Sequence, residues 1–255
     1  MGWSGVGEAY AASYESLCAG TNDALVRAFG AADGRRVLDF GSGTGALAGE
    51  LDALGWSVTG CEPEESMREI ASRRHPELDF VEGGLPGLPF ADAVFNAVTA
   101  NFVLNHVDDP RRSARELARV ATSGAPLAAT IWTVSPSWFW VSVCDRAGLV
   151  PAAGGRLPDD KDFERTADGF ARMLTDGGWR EVRVEEHTWT WDARPQQLWA
   201  SAEGGVASAG AFYLSLDPAE MHRFRAAFDE LVSEHTQGGT VALEHTAALA
   251  VGAAL

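Results

Sequence analysis

The chain has 255 residues, 46% of them apolar, enough to bury one large core. Acidic side chains outnumber basic ones by 36 to 20, for a net charge of −16. A field of that sign repels phosphate backbones and anionic lipid, which argues against nucleic acid or a membrane surface as a partner.

Residues 1–8 have neither the basic start nor the apolar stretch of a signal peptide, so the protein is expected in the cytoplasm. Two helices are expected next, over 8–17 and 22–29, the second with Ala24, Leu25, Ala28 and Phe29 at helical spacing. From residue 36 to about 131 short apolar runs alternate with helical patterns. The strands are expected over 37–40, 57–61, 78–81, 93–100 and 127–131, and the helices over 45–54, 66–74 and 111–121, with Asp108 and Asp109 before Pro110 as caps of the last. This rhythm predicts an α/β fold, a mostly parallel sheet with helices on both faces. Residues 125–144 carry no charge and are long enough to cross a bilayer. Pro126 and Pro136 interrupt them, and 127–132 reads better as a buried strand. Gly, Pro and Ala over 150–162 predict a long loop. A helix over 170–175 stopped by Gly177 and Gly178, a strand over 183–191, a helix from Asp217 and Pro218 to about 234, and a last strand over 241–251 follow. Cys18, Cys61 and Cys144 lack ligand spacing and read as reduced, buried thiols; no metal site is expected.

The run Val37-Leu38-Asp39-Phe40-Gly41-Ser42-Gly43-Thr44-Gly45 is a strand that breaks into glycines where a helix should begin. Glycine allows a tight turn and close approach of backbone N–H groups to a ligand, and the helix N-terminus adds partial positive charge. Asp39 narrows the ligand, because a carboxylate there repels a pyrophosphate and suits a cation such as the α-ammonium group of S-adenosylmethionine (SAM). Glu62 ends the second strand about twenty residues later, where an acidic side chain takes both ribose hydroxyls.

These motifs, over residues 10–131, resemble the class I SAM-dependent methyltransferases of the UbiE-like, Methyltransf_11 type. The resemblance implies a Rossmann-like fold with a seven-stranded, mostly parallel sheet and a C-terminal cap insertion in one domain. Residues 1–34 would form lid helices, 35–132 the SAM-binding core, and 133–255 the substrate side, cap and last strands. It also implies that Asp39, Gly41, Ser42 and Gly43 hold the methionine part of SAM, that Glu62 and Pro63 hold the ribose side, and that Met67 packs on adenine. Met67 fits a core position on an amphipathic helix as well. The family's Asp after strand three is absent: Glu82-Gly83-Gly84-Leu85 leaves Gly84 and Leu85 to meet adenine through backbone and apolar contact. Asn101 would touch SAM through its backbone, and Tyr10 and Tyr14 resemble the lid's paired aromatics, with helix-to-sheet packing as the alternative.

His106 follows the fourth strand and is the candidate general base, or else a ring packed on its own segment. Asn105, Trp132, Trp138, Trp199, Phe212 and Tyr213 are candidates to line an acceptor pocket, whereas Trp189 and Trp191, two apart on a strand, read as sheet packing. The expected activity is in-line transfer of a methyl group to a small, aromatic or apolar metabolite through N, O or C, in specialised metabolism, by a monomer or homodimer that leaves S-adenosylhomocysteine. A non-catalytic SAM-binding protein is the alternative. An NAD(P)-dependent oxidoreductase fits less well, because Asp39 opposes pyrophosphate and no Tyr-x-x-x-Lys pair occurs.

Overall fold

Short parallel strands at the centre of a sheet need cover on both faces, and the chain supplies it by returning through a helix after nearly every strand. The computed structural model describes residues 3–30, 32–135, 137–151 and 157–255. Helices α1 (Gly7–Ala11), α2 (Tyr14–Cys18) and α3 (Asn22–Phe29) lead into β1 (Arg36–Phe40), α4 (Ala46–Ala53), β2 (Ser57–Cys61), α5 (Glu65–Arg74) and β3 (Asp79–Val81). Then come β4 (Ala97–Ala100), α6 (Pro110–Val120), β5 (Pro126–Val134), α7 (Trp138–Ala147), α8 (Ala167–Asp176) and β6 (Trp179–Ala193). Helices α9 (Pro195–Glu203), α10 (Ala207–Leu214) and α11 (Pro218–His235) precede β7 (Val241–Ala254).

The strands form one seven-stranded sheet in the order β3-β2-β1-β4-β5-β7-β6, in which β7 runs antiparallel to both neighbours. Leu38, Phe95, Leu117, Phe170 and Trp179 fill one face beneath α6 and α8, and Leu25, Phe29, Leu47, Leu51 and Trp56 fill the other beneath α3 and α4. Strands β6 and β7 are 15 and 14 residues long, against 5 for β1, and stay paired out to Ala193 opposite Val241. Their far ends overhang the parallel sheet. There Trp191 and Leu243 pack with Phe139 of α7, Leu198 of α9 and Phe224 and Phe228 of α11 in a third core, the cap.

Several expected boundaries move. The N-terminal helix is broken at Ser13, whose φ of −130° and ψ of −93° leave the helical region and whose hydroxyl donates to the Ala9 carbonyl. Strand β4 starts at Ala97 instead of 93, because the Val94 and Phe95 N–H groups donate to the Val120 carbonyl at the end of α6. The uncharged stretch is β5 followed by α7, with Phe139, Val143, Cys144 and Ala147 on the buried side of the helix. Among the described residues no helix is long and apolar enough to cross a membrane. Residues 152–156 of the expected loop lie outside the described residues.

Trp179 is 1% exposed and its Nε1 donates to the Ala114 carbonyl at 3.0 Å, tying β6 to α6. Trp179→Ala opens a large cavity and removes that tie between β6 and α6, so chemical denaturation should show a loss of roughly 3–5 kcal/mol.

Candidate active site

Strand order reverses between β1 and β4, which pair side by side at Leu38 and Val98 while their chains leave toward opposite edges. A crevice opens at the carboxyl ends of such strands. The β1 turn enters it with Gly41, Gly43 and Gly45 at φ of 69°, 53° and 86°. At Gly41 the absence of a side chain is required twice, because a Cβ would overlap Val103 Cγ2 and the backbone is left-handed.

Asp39 sits beneath the turn, 2% exposed, with no donor bonded to its carboxylate among the described residues and with Oδ2 fully buried. Burial, reinforced by the charge of Glu62, pushes its pKa up to about 7. A small pocket joins Asp39 to Gly41, Ser42, Gly43, Tyr10 and Asn101, and the Ser42 hydroxyl is also buried there without a partner. Glu62 is better provided: its Oε2 accepts from the Gly43 N–H and its Oε1 from the Glu64 N–H, each at 3.0 Å. Burial still raises its pKa, and those two bonds oppose the rise.

The N-terminal helices lie across the turn, where a lid is expected. Gly5 N–H donates to Glu64, Gly7 N–H to the Ser66 hydroxyl, and Glu8 and Glu15 pair with Arg73 and Arg74 at 2.7 and 2.6 Å. Tyr10 is thereby held over Gly43, and burial, then the neighbouring Cys18, raises its phenol well above the ordinary value. Asn101 links lid to sheet: its Oδ1 accepts from Thr21 and Thr130 hydroxyls and its Nδ2 donates to the Cys18 carbonyl. With its side chain so engaged, Asn101 is held in place at the edge of the pocket.

A cavity of about 870 Å³ runs from the glycine turn toward the cap, large among ligand pockets. Its near end is lined by Gly41, Gly43, Glu62, Pro63, Met67, Gly84, Leu85 and Asn101. Its far end is aromatic and aliphatic, with Trp132, Phe139, Trp140, Trp191, Leu198, Phe212, Phe224, Leu243 and His245. Tyr14 belongs to this end, accepting from Trp140 Nε1 at 3.1 Å and lying edge-on to Trp191. Phe102 connects the halves: at φ of 56° its N–H reaches the Thr130 hydroxyl, and its ring stacks on Trp132 at 3.7 Å.

The expected near-end residues therefore come together around the turn. Among the expected acceptor residues, only Trp132 and Phe212 line the cavity. Trp138 is 42% exposed against His235, and Trp199 lies under the Arg225 guanidinium beside Tyr213 and Phe228, so these rings serve the outer cap. Tyr213 packs on Trp199 and Phe224, and Asn105 sits outside the cavity with its amide 3.0 Å from His106 Nε2. Trp189 packs on its sheet as expected, but Trp191, two residues on, lines the cavity as well. His106 lines the mouth, exposed at one edge and edge-on to Trp3. Desolvation by the surrounding protein is the largest cause that pushes its pKa down to about 4, and the Arg165 charge adds to the fall. Sequence reading missed Phe139, Trp140, Phe224 and His245; the alternation of Val241, Leu243, His245 and Ala247 along β7 was the one available signal, since it puts His245 on the buried face.

Residues 38–129 match the Methyltransf_11 family model, described as a methyltransferase domain. A demethylmenaquinone methyltransferase of Renibacterium salmoninarum is 30% identical over 170 residues, 62% of this chain and 72% of that protein. One from Beutenbergia cavernae is 31% identical over 172 residues, 62% of this chain and 71% of its own. The chain belongs to the class I SAM-dependent methyltransferases. The fold agrees: the YcgJ protein of Bacillus subtilis superposes with a TM-score of 0.60 at 17% identity, covering 91% of this chain and 97% of that one. The enzyme's cofactor is SAM, and the residues fit it, since Asp39 presents a buried carboxylate that no protein donor satisfies.

The free methyltransferase keeps a proton on Asp39 up to about pH 7, whereas a cationic ligand requires the anion. SAM affinity measured by calorimetry should be greatest between about pH 7 and pH 8, fall up to tenfold per unit below that as Asp39 takes a proton, and fall again above it as the ligand's ammonium group loses one, with the acid limb absent in Asp39→Asn, which binds weakly throughout. Because the folded pKa is raised, Asp39 costs the free protein stability as pH rises from the ordinary carboxylate range through about 7. Asp39→Asn without cofactor should accordingly melt higher than the parent at pH 8.

Proposed function

We propose that this methyltransferase acts on a small, flat, largely apolar acceptor held in the aromatic half of the cavity. The observation that carries the reading is the continuity of that half with the glycine turn: the two ends share one cavity, joined where Phe102 stacks on Trp132. A charged or extended acceptor would leave the Trp132, Phe139, Trp140, Phe212 and Phe224 walls without apolar contact. The curated relatives named demethylmenaquinone methyltransferase support an apolar ring as acceptor.

In this reading Asp39 takes the cofactor's ammonium group, the backbone of Gly41, Gly43 and Asn101 and the Ser42 hydroxyl surround its methionine part, and Tyr10 closes over it. Glu62 and Pro63 meet the ribose, and Met67, Gly84 and Leu85 flank the adenine. When bound, SAM supplies an electrophilic sulfonium methyl group for in-line displacement. The protein's share is positioning, which in well-oriented reactions accounts for roughly 7–11 kcal/mol of a barrier. The lid holds water out and the aromatic walls set the acceptor plane.

His106 fits a role at the mouth better than one as proton acceptor. In either orientation of the Asn105 amide, Nε2 is engaged, and a base with a pKa near 4 is a weak proton acceptor at neutral pH.

Isotope-labelled SAM should methylate members of a library of flat aromatic and quinol-like compounds, and turnover confined to charged aliphatic acceptors would overturn the proposal. Trp140→Ala should raise acceptor KM about tenfold or more while leaving SAM affinity within about twofold, as expected for one large apolar contact. His106→Ala should lower kcat by less than about tenfold; a loss of 10²–10⁴ would restore it as the general base.

A further inference from the structure

The aromatic half of the cavity contains one imidazole. His245 stands on β7 opposite Trp189 of β6, 4% exposed, its ring 5.4 Å from Trp132, 5.7 Å from Trp189 and 6.4 Å from Trp191. Nδ1 lies 3.0 Å from the Leu243 carbonyl. A carbonyl only accepts, so Nδ1 carries the proton and Nε2 the lone pair. Among the described residues no group bonds Nε2, and His245 is part of the cavity wall. Three tryptophans hold the ring in place, and the second hydrogen bond of a buried neutral imidazole is left to whatever enters.

We propose that His245 Nε2 is the polar anchor of the acceptor site and selects a flat aromatic molecule bearing a hydroxyl group, which it binds as a hydrogen-bond acceptor. The inference rests on the reading of this half as the acceptor site. Burial keeps the imidazole neutral by lowering its pKa, so the lone pair is present at neutral pH. Of the polar groups that share this end, the Trp140 N–H is bonded to the Tyr14 hydroxyl and the Trp191 N–H to the Ser16 hydroxyl, and Trp189 Nε1, buried without a partner among the described residues, can only donate and so does not compete for a hydroxyl proton. A hydroxyl entering between Trp132 and Trp191 meets an unused acceptor at Nε2, whereas a ring without a donor leaves that nitrogen desolvated and unpaired, which costs affinity. The same logic makes recognition of a hydroxyl more selective than recognition of a methylene.

The test compares binding of 1-naphthol and naphthalene to the full chain by equilibrium dialysis, in the parent, His245→Phe and His245→Asn. Phenylalanine keeps the ring packing. Asparagine keeps a donor for the Leu243 carbonyl and removes Nε2. Circular dichroism and unchanged S-adenosylhomocysteine affinity establish that each variant is folded. Expected is a fall of roughly fivefold to tenfold in the ratio of naphthol to naphthalene affinity in both variants, the size of one neutral hydrogen bond. A purely structural His245 would weaken both probes alike and leave the ratio where it was. An unchanged ratio in the folded variants overturns the anchor and leaves the aromatic acceptor site standing. Failure of the parent to bind either probe overturns both.

Discussion

The site depends on one constraint, the divergence of β1 and β4 at the middle of the sheet. Because the chain leaves these paired strands toward opposite edges, no crossover helix covers the gap at their carboxyl ends. The β1 turn, the segment after β4 and the N-terminal lid all converge there. Asn101 converts that convergence into a fixed arrangement, since one amide ties the lid at Cys18 and Thr21 to β5 at Thr130.

Within that frame the molecule holds polar groups in reserve. Other buried polar groups are divided: Trp179 Nε1 meets the Ala114 carbonyl, whereas Trp56 Nε1, Thr99 Oγ1, Ser113 Oγ and Trp189 Nε1 have no partner among the described residues. At the turn, Asp39 and Ser42 are buried and unpaired, a cost to the free protein that a cofactor with matching groups removes. His245 repeats the pattern at the opposite end of the cavity, with one nitrogen bonded and the other open. Between these ends the lining is mixed, with Phe102, Val103 and Trp132 beside His106, Asp108, Ser135 and Ser137.

The long antiparallel ribbon gives the enzyme the aromatic half of its cavity. A sheet ending level with β1 would offer the cap helices no surface to pack on. The overhang of β6 and β7 carries Trp191, Leu243 and His245 past the parallel strands, and α7, α9 and α11 close over them. The lid crosses the same surface from the other side, where Trp191 Nε1 and Gln197 Nε2 both donate to the Ser16 hydroxyl. The N-terminal helices and the cap thus meet at one hydroxyl.

The sequence by itself determined the cofactor half. Asp39, the three glycines and Glu62 lie within one strand-turn-helix-strand unit, and local spacing dictates where such a unit presents its backbone and carboxylates. The strands up to β5 were legible for the same reason, apart from the start of β4, where hydrogen bonds to the distant end of α6 displace the boundary. Only the tertiary structure decided the acceptor half. Its walls come from α2, β5, α7, β6, α9, α10, α11 and β7, and no local pattern says which of many aromatic residues face inward. Trp138 and Trp140 are two apart on one helix, yet one is exposed and the other stacks on Phe224, because the face turned to the cap is set by α11. Trp199 and His245 likewise exchange their expected importance, the first turned out under Arg225 and the second turned in, since long-range packing and not residue type chooses the direction of a side chain.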